Sequence, residues 1–249
     1  MKIGAQMFTT RATCQTLEGF ADTLKRIADI GYTTVQVSGT CPYECEWLRD
    51  QLKLNGLKCV LTHIPVPRLT GELDKVIEDH NTFDCKYVGL GFWAFDEARN
   101  MTWDQWMETF PPIAHKLKEG GKYFMYHNHD REFIKVGGTT YLEKLAEAVP
   151  ADEMGFTLDT FWIQAGGGDP GQWIEKFSGR VPCIHLKDYA YGREMAVVGE
   201  GNINFDRVFE KAEAAGTQYM LVEQDDCHGE DPIECLKRSY LYLKSCGFN

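Results

Sequence analysis

Residues 155–188 read GFTLDTFWIQAGGGDPGQWIEKFSGRVPCIHLKD and hold one complete structural repeat. Gly155–Asp159 is a short apolar run that ends in an acid. Asp169-Pro170 then suits an N-cap followed by a first helical turn, and a helix-period stretch runs over Pro170–Phe177. Cys183–Lys187 is a second apolar run, ending in His185-Leu186-Lys187-Asp188. Strand, helix and strand at this spacing are the unit of a parallel sheet, whose neighbouring strands need a crossover helix between them.

The unit recurs in both directions. Strands are expected at Lys2–Phe8, Thr34–Ser38, Lys58–His63, Tyr87–Phe92, Tyr123–His127, Gly155–Asp159, Cys183–Lys187 and Met220–Glu223. Helices are expected at Leu17–Ile30, Glu44–Leu54, Leu73–His80, Trp103–Glu119, Thr140–Val149, Pro170–Phe177, Phe205–Ala215 and Pro232–Ser245. Gly31, Gly56, Gly120 and Gly216 each follow a helical stretch, where a left-handed cap is wanted. Strict alternation through eight units predicts a single (β/α)8 TIM barrel domain over residues 1–249. A doubly wound sheet would want a glycine-rich loop after the first strand, but Thr9-Thr10-Arg11-Ala12-Thr13 stands there and no GxGxxG occurs.

Composition narrows the function. The 249 residues carry a net charge of −11 with no Lys/Arg run, which argues against nucleic acid as a partner. No window of ~18 apolar residues exists to span a membrane. The opening MKIGAQMFTT reads as a strand, not an export signal, so a cytoplasmic protein with nine reduced cysteines is expected. Cys41 and Cys45 have no second pair to complete a zinc site.

In such a barrel the chemistry sits at the C-terminal strand ends. Gln6, Ser38 and Trp93 lie at the first, second and fourth, and Thr62-His63 at the third. The fifth carries His127-Asn128-His129-Asp130 with Glu132 behind, and the sixth Asp159. The seventh carries His185-Leu186-Lys187-Asp188, and the eighth Glu223-Gln224-Asp225-Asp226. An acid at a strand end is often only the N-cap of the next helix, as Asp169 and Asp231 are. Histidines and carboxylates on four successive strand ends instead suit a divalent metal, which wants several ligands from separate rigid elements. Asp159, His185 and Glu223 are the expected ligands, joined by Glu132 with His127 and His129 as rivals.

At these residues the chain resembles the sugar phosphate isomerase/epimerase group of xylose-isomerase-like TIM barrels. Relatives in that group include inosose dehydratase, ketose 3-epimerases, hydroxypyruvate isomerase and, more distantly, endonuclease IV. The resemblance covers nearly the whole chain. It is most specific in Tyr126-His127-Asn128-His129-Asp130-Arg131-Glu132-Phe133, Leu158-Asp159-Thr160-Phe161-Trp162 and His185-Leu186-Lys187-Asp188. It continues in Gly199-Glu200-Gly201-Asn202-Ile203-Asn204 and Val222-Glu223-Gln224-Asp225.

The resemblance implies one divalent ion (Mn²⁺ foremost, or Co²⁺, Mg²⁺ or Zn²⁺) held by Glu132, Asp159, His185 and Glu223. Epimerases of the group place a Glu at the end of strand five, where this chain has His127-Asn128-His129. That pattern is similar to members that act on keto-sugars by elimination, including subunits that cleave 3-keto-C-glycosides.

Metal-assisted enolisation of a keto-sugar or inosose is the reaction expected, leading to isomerisation, epimerisation or loss of a leaving group. Histidine is the natural proton carrier near neutral pH, with His129 first and His127 and His63 next. Lys187, two residues from His185, could stabilise an oxyanion or pair with an acid such as Glu200. Trp93 and Trp162 are expected against the substrate, with Phe8 and Phe161 as further aromatic candidates. Glu200 joins them as a polar contact, and Arg193 could meet a phosphate or carboxylate. The competing readings are a non-catalytic or partner-dependent sugar-binding barrel and an endonuclease IV-like repair enzyme. A homo-oligomer is compatible with the pattern.

Overall fold

The computed structural model describes residues 1–248. Eight strands alternate with the helices: β1 (Lys2–Gln6), β2 (Thr34–Val37), β3 (Lys58–His63), β4 (Tyr87–Leu90), β5 (Tyr123–His127), β6 (Met154–Asp159), β7 (Cys183–Leu186) and β8 (Tyr219–Val222). Each pairs in parallel with the next, and β8 pairs back onto β1 through Lys2↔Tyr219 and Ala5↔Val222, closing the barrel. The strands are buried almost throughout, because helices cover the outside and side chains fill the inside.

The helices are α1 (Leu17–Ile30), α2 (Cys45–Leu54), α3 (Val66–Gly71), α4 (Leu73–Thr82), α5 (Trp103–Glu119), α6 (Tyr141–Ala148), α7 (Thr160–Ala165), α8 (Pro170–Lys176), α9 (Phe205–Ala214) and α10 (Pro232–Ser245). Their buried residues recur at helical spacing, as Phe20, Leu24 and Ile27 do on α1 and Trp106, Phe110, Ala114 and Leu117 on α5. Thr102 and Gln105 close a capping box on α5, Thr140 and Glu143 another on α6, and Asp169 and Asp231 cap α8 and α10. Each such cap contributes about 1 kcal/mol. The short α3 and α7 were not expected from periodicity; helices of six residues, under two turns, carry too few positions to show it.

Several element ends shift by a residue or two, β4 stopping at Leu90 and β8 running over Tyr219–Val222. β1 stops at Gln6 rather than Phe8, because the chain tightens into a 3₁₀ turn over Met7–Thr13. Gly31, Gly56 and Gly216 take positive φ, but Gly120 does not; it caps α5 at φ −78°, and Gly121 makes the left-handed step at φ 72°.

Inside the barrel, alternation along the strands sends Leu61, Tyr87, Met125, Cys183 and Leu221 inward as one apolar layer. Two residues further along β3, β5, β7 and β8, the same inward rows reach His63, His127, His185 and Glu223. The apolar layer therefore floors a polar mouth. Small antiparallel hairpins follow β5 (Lys135–Val136 with Thr139–Thr140) and β7 (Asp188–Ala190 with Glu194–Ala196), and rise around that mouth. Among the described residues no helix is long and apolar enough to cross a membrane.

Candidate metal centre

Four buried side chains meet at the C-terminal mouth: His127 at the end of β5, Asp159 at the end of β6, His185 on β7 and Glu223 just after β8. One ligand atom from each lies within 4.8 Å of all the others. His127 Nε2 stands 3.3 Å from Asp159 Oδ2, and His185 Nδ1 stands 2.8 Å from Glu223 Oε2 and 3.6 Å from Asp159 Oδ2. Although His185 Nδ1 and Glu223 Oε2 are buried and close, neither completes a hydrogen bond. Four ligand atoms converging from separate strands fit a shared cation, which would take the place of the proton on His185 Nδ1.

The outward atoms of the same groups are all engaged. His127 Nδ1 faces the Gly91 carbonyl at 3.1 Å; a carbonyl can only accept, so Nδ1 carries the proton and Nε2 is left for the centre. His185 Nε2 donates to Gln36 Oε1 at 2.6 Å, which turns Nδ1 inward. Gln6 Nε2 donates to Glu223 Oε1 at 3.0 Å. Asp159 does two jobs: Oδ1 caps α7 by accepting from Trp162 N at 3.0 Å, while Oδ2 faces the cluster. Orienting partners of this kind are what an ion site requires.

Lys187 is buried among the acids, its Nζ 3.2 Å from Asp159, 2.9 Å from Glu223 and 3.0 Å from Asp225. Burial opposes ionisation here, but the carboxylates outweigh it and hold the ammonium well above the ordinary lysine range. Asp159 and Glu223 answer in kind: burial raises them, yet Lys187 and the histidines hold both far below the usual carboxylate range. Burial likewise disfavours charge on His185, but Glu223 and Asp159 prevail and raise its pKa to about 9. His63 and His129 go the other way, pushed well down by burial and by the neighbouring His127.

A cavity of about 440 Å³ opens over the cluster, lined by His63, His127, His129, Lys187, Glu223 and Asp225 on its polar side and by Phe8, Ile64, Val66, Leu90 and Phe92 on its apolar side. Such a volume suits a small polar ligand.

Residues 24–246 match the family model for the xylose isomerase-like TIM barrel. The chain belongs to this family. It is 22% identical over 216 residues to an inosose dehydratase from Clostridium perfringens, covering 79% of this chain and 67% of that one. To an inosose dehydratase from Geobacillus kaustophilus it is also 22% identical, across 89% of this chain and 83% of the relative. A crystal structure of a sugar phosphate isomerase/epimerase from Parabacteroides distasonis superposes with a TM-score of 0.81 at 22% identity, covering 98% and 93% of the two chains.

Within this xylose isomerase-like frame, the expected site residues divide. Asp159, His185 and Glu223 lie together in the cluster, where the fourth side chain is His127, one of the two rivals to Glu132, and Glu132 stands outside it. Glu132 is fully buried and turned away: Oε1 accepts from the Tyr126 hydroxyl at 2.7 Å and Oε2 from His129 N at 2.8 Å. Burial pushes its pKa up to about 7 despite those bonds. His129 and His63 line the cavity beside the cluster, with the rings of His63 and His127 stacked 5.2 Å apart. Trp162 stands 5.1 Å from the His129 ring and 5.5 Å from Lys187 Nζ.

Three expected contacts lie elsewhere. Trp93 faces the packing between β4 and α5, donating to the Thr102 carbonyl and meeting Phe110 edge-on; Phe92 takes its place at the cavity. Glu200 is exposed and bound to Arg238, so Lys187 pairs with Asp225 instead. Arg193 is held by Asp130 and lies over Trp162. The Gly199-Glu200-Gly201 motif serves Asp188, whose carboxylate accepts from the backbone N–H groups of Tyr189, Gly199, Gly201 and Ile203. Gln36 escaped notice altogether, although a glutamine between two valines in a buried strand was a signal that something inside needed a polar partner.

Proposed function

We propose that this chain is a divalent-metal-dependent enzyme acting on a neutral keto-sugar or inosose by proton abstraction beside the ketone. The observation that carries the reading is the convergence of two neutral-capable imidazoles and two carboxylates at the mouth, with His129 and Lys187 on the rim of the same cavity. His127, Asp159, His185 and Glu223 would hold the ion. Two imidazoles beside two carboxylates suit Mn²⁺, Co²⁺ or Zn²⁺ better than Mg²⁺, which prefers an all-oxygen shell. When bound, the ion supplies Lewis acidity that makes a C–H beside a carbonyl easier to ionise.

His129 is the base in this reading. It is neutral near pH 7, its Nδ1 is buried without a partner, and Phe92 and Trp162 wall it on two sides. Lys187, permanently charged, aims its ammonium at the oxygen on which negative charge develops and can hydrogen-bond a departing hydroxyl. Asp225 keeps Lys187 in place from the cavity side. Phe8 and Phe92 exclude water from one face of the substrate.

Charge selects the substrate class. The single cation lining the cavity among the described residues is Lys187, already matched by three carboxylates. Arg11 is spent on the Phe8 and Asp225 carbonyls, and Arg193 on Asp130. With no guanidinium lining the cavity among the described residues to clamp a phosphate, a hydroxyl-rich neutral molecule fits best. The names of the inosose dehydratase relatives agree with that class.

The test is deuterium exchange. Wild-type protein loaded with Mn²⁺ should wash deuterium from D₂O into inososes or keto-sugars, read by proton NMR. His129→Ala should abolish exchange yet keep its metal, whereas Asp159→Ala and His185→Ala should lose both. Absence of metal uptake by the wild type, or exchange undiminished in His129→Ala, would overturn the reading.

A further inference from the structure

At the opposite end of the barrel the turns that enter β4, β5, β6, β7 and β8 rim a second cavity of about 530 Å³. Its lining carries Lys86, Lys118 and Lys122 beside Tyr87, Tyr123 and Gln218, and Asp152 is its one acid among the described residues. A basic hollow stands out on a chain whose net charge is −11. Lys118 is spoken for, at 2.6 Å from Asp152. Lys86 is exposed, its ammonium 5.7 Å from the centre of the Tyr87 ring.

Lys122 is the unusual one. It is 91% buried by its 9% exposure, yet its ammonium has one hydrogen-bond partner among the described residues, the neutral Cys85 carbonyl at 2.9 Å. Asp84, which acts on it electrostatically, is paired with Lys58. Burial pulls the Lys122 pKa down, as it must for a cation with so little compensation. A buried ammonium has three donors and needs an anion or several oxygens to offset its desolvation.

We propose that this cavity binds a small phosphate-bearing anion, with Lys122 and Lys86 as its cationic contacts. A phosphate oxygen at Lys122 would form the charge-assisted bond that the ammonium lacks, and the concave basic lining would concentrate anions there against the acidic field of the rest of the chain. The site lies across the apolar layer of Leu61, Met125 and Leu221 from the metal centre, so its occupancy stabilises the barrel without entering the chemistry.

The test titrates inorganic phosphate, pyrophosphate and a sugar phosphate monoester into the full-length protein, by calorimetry and thermal melting, against chloride at equal ionic strength. Phosphate-specific binding is expected, weakened at least about tenfold in both Lys86→Ser and Lys122→Met and unchanged in His185→Ala. Tighter binding of the monoester would identify a phosphorylated metabolite as the source, and equal binding the free ion. Lys86 is exposed, so Lys86→Ser carries the test even if Lys122→Met folds poorly. No phosphate-specific effect, binding retained in Lys86→Ser, or binding lost in His185→Ala would each overturn the proposal.

Discussion

If the His127, Asp159, His185 and Glu223 cluster takes a divalent ion as proposed, loading it should cost one proton, the one carried by His185. The pKa of His185 is raised to about 9 by Glu223 and Asp159 against the effect of burial. At pH 7, two units lower, the imidazole is about 99% protonated. Its Nε2 is committed to Gln36, so the proton that must leave is the one on Nδ1, facing the cluster. Removing it costs roughly 2.7 kcal/mol, so apparent affinity at pH 7 should be about a hundredfold below its plateau above pH 9. Asp159 and Glu223 are ionised throughout and add no proton of their own. Calorimetric titration of Mn²⁺ into chelator-stripped protein, in buffers of different ionisation enthalpy, reads the count directly. About one proton should be released at pH 7, and log K should rise by about one per pH unit between 6 and 8. Affinity flat over that range with no proton released would refute the charge assigned to His185.

Removing the Lys187 ammonium leaves Asp159, Glu223 and Asp225 facing one another, so Lys187→Met should destabilise chelator-treated protein by about 3–5 kcal/mol and lower Tm by roughly 10 °C. Added Mn²⁺ should recover part of the loss, and an unchanged melt in chelator would contradict the reading. Glu132, raised to about 7, contributes stability that is full below pH ~4.5 and is lost as pH rises through 7, about 3 kcal/mol in all. The stability advantage of wild type over Glu132→Gln in urea unfolding should therefore shrink by about that amount between pH 5 and pH 8; a difference independent of pH would count against it. A methyl at Gly201 would stand 2.5 Å from Asp188 Oδ1, so Gly201→Ala should cost about 1–3 kcal/mol in a thermal or urea melt, and a silent substitution would show that the Asp188 loop is not rigid.

The fold was readable in one dimension because each of its decisions is local. Apolar runs of strand length, helix-period stretches, Asp-Pro starts and terminal glycines all depend on neighbours a few residues apart. That is why the eight strands and their order emerged from residues such as Gly155–Asp159 and Cys183–Lys187. What lay below that resolution was short: the six-residue α7, or the one-residue step from Gly120 to Gly121.

Three of the four residues in the cluster followed from the same local logic, since a polar residue at the C-terminal end of a barrel strand must face the mouth. The fourth did not. His127, His129 and Glu132 all stood at the end of β5 with chemistry fit for a metal, and spacing along the chain cannot say which side chain a turn will bend inward. Tyr126 and the backbone of His129 decided it by capturing both oxygens of Glu132, while the Gly91 carbonyl turned His127 toward Asp159. Trp93 was lost to the packing against α5 in the same way, and Lys187 found Asp225 rather than Glu200. Strand and helix are thus properties of the chain itself, whereas which side chains join the cluster, the tautomer of His127 and the charge on His185 depend on partners from β2, β4, β6 and β8, which only closure of the barrel brings within 4 Å.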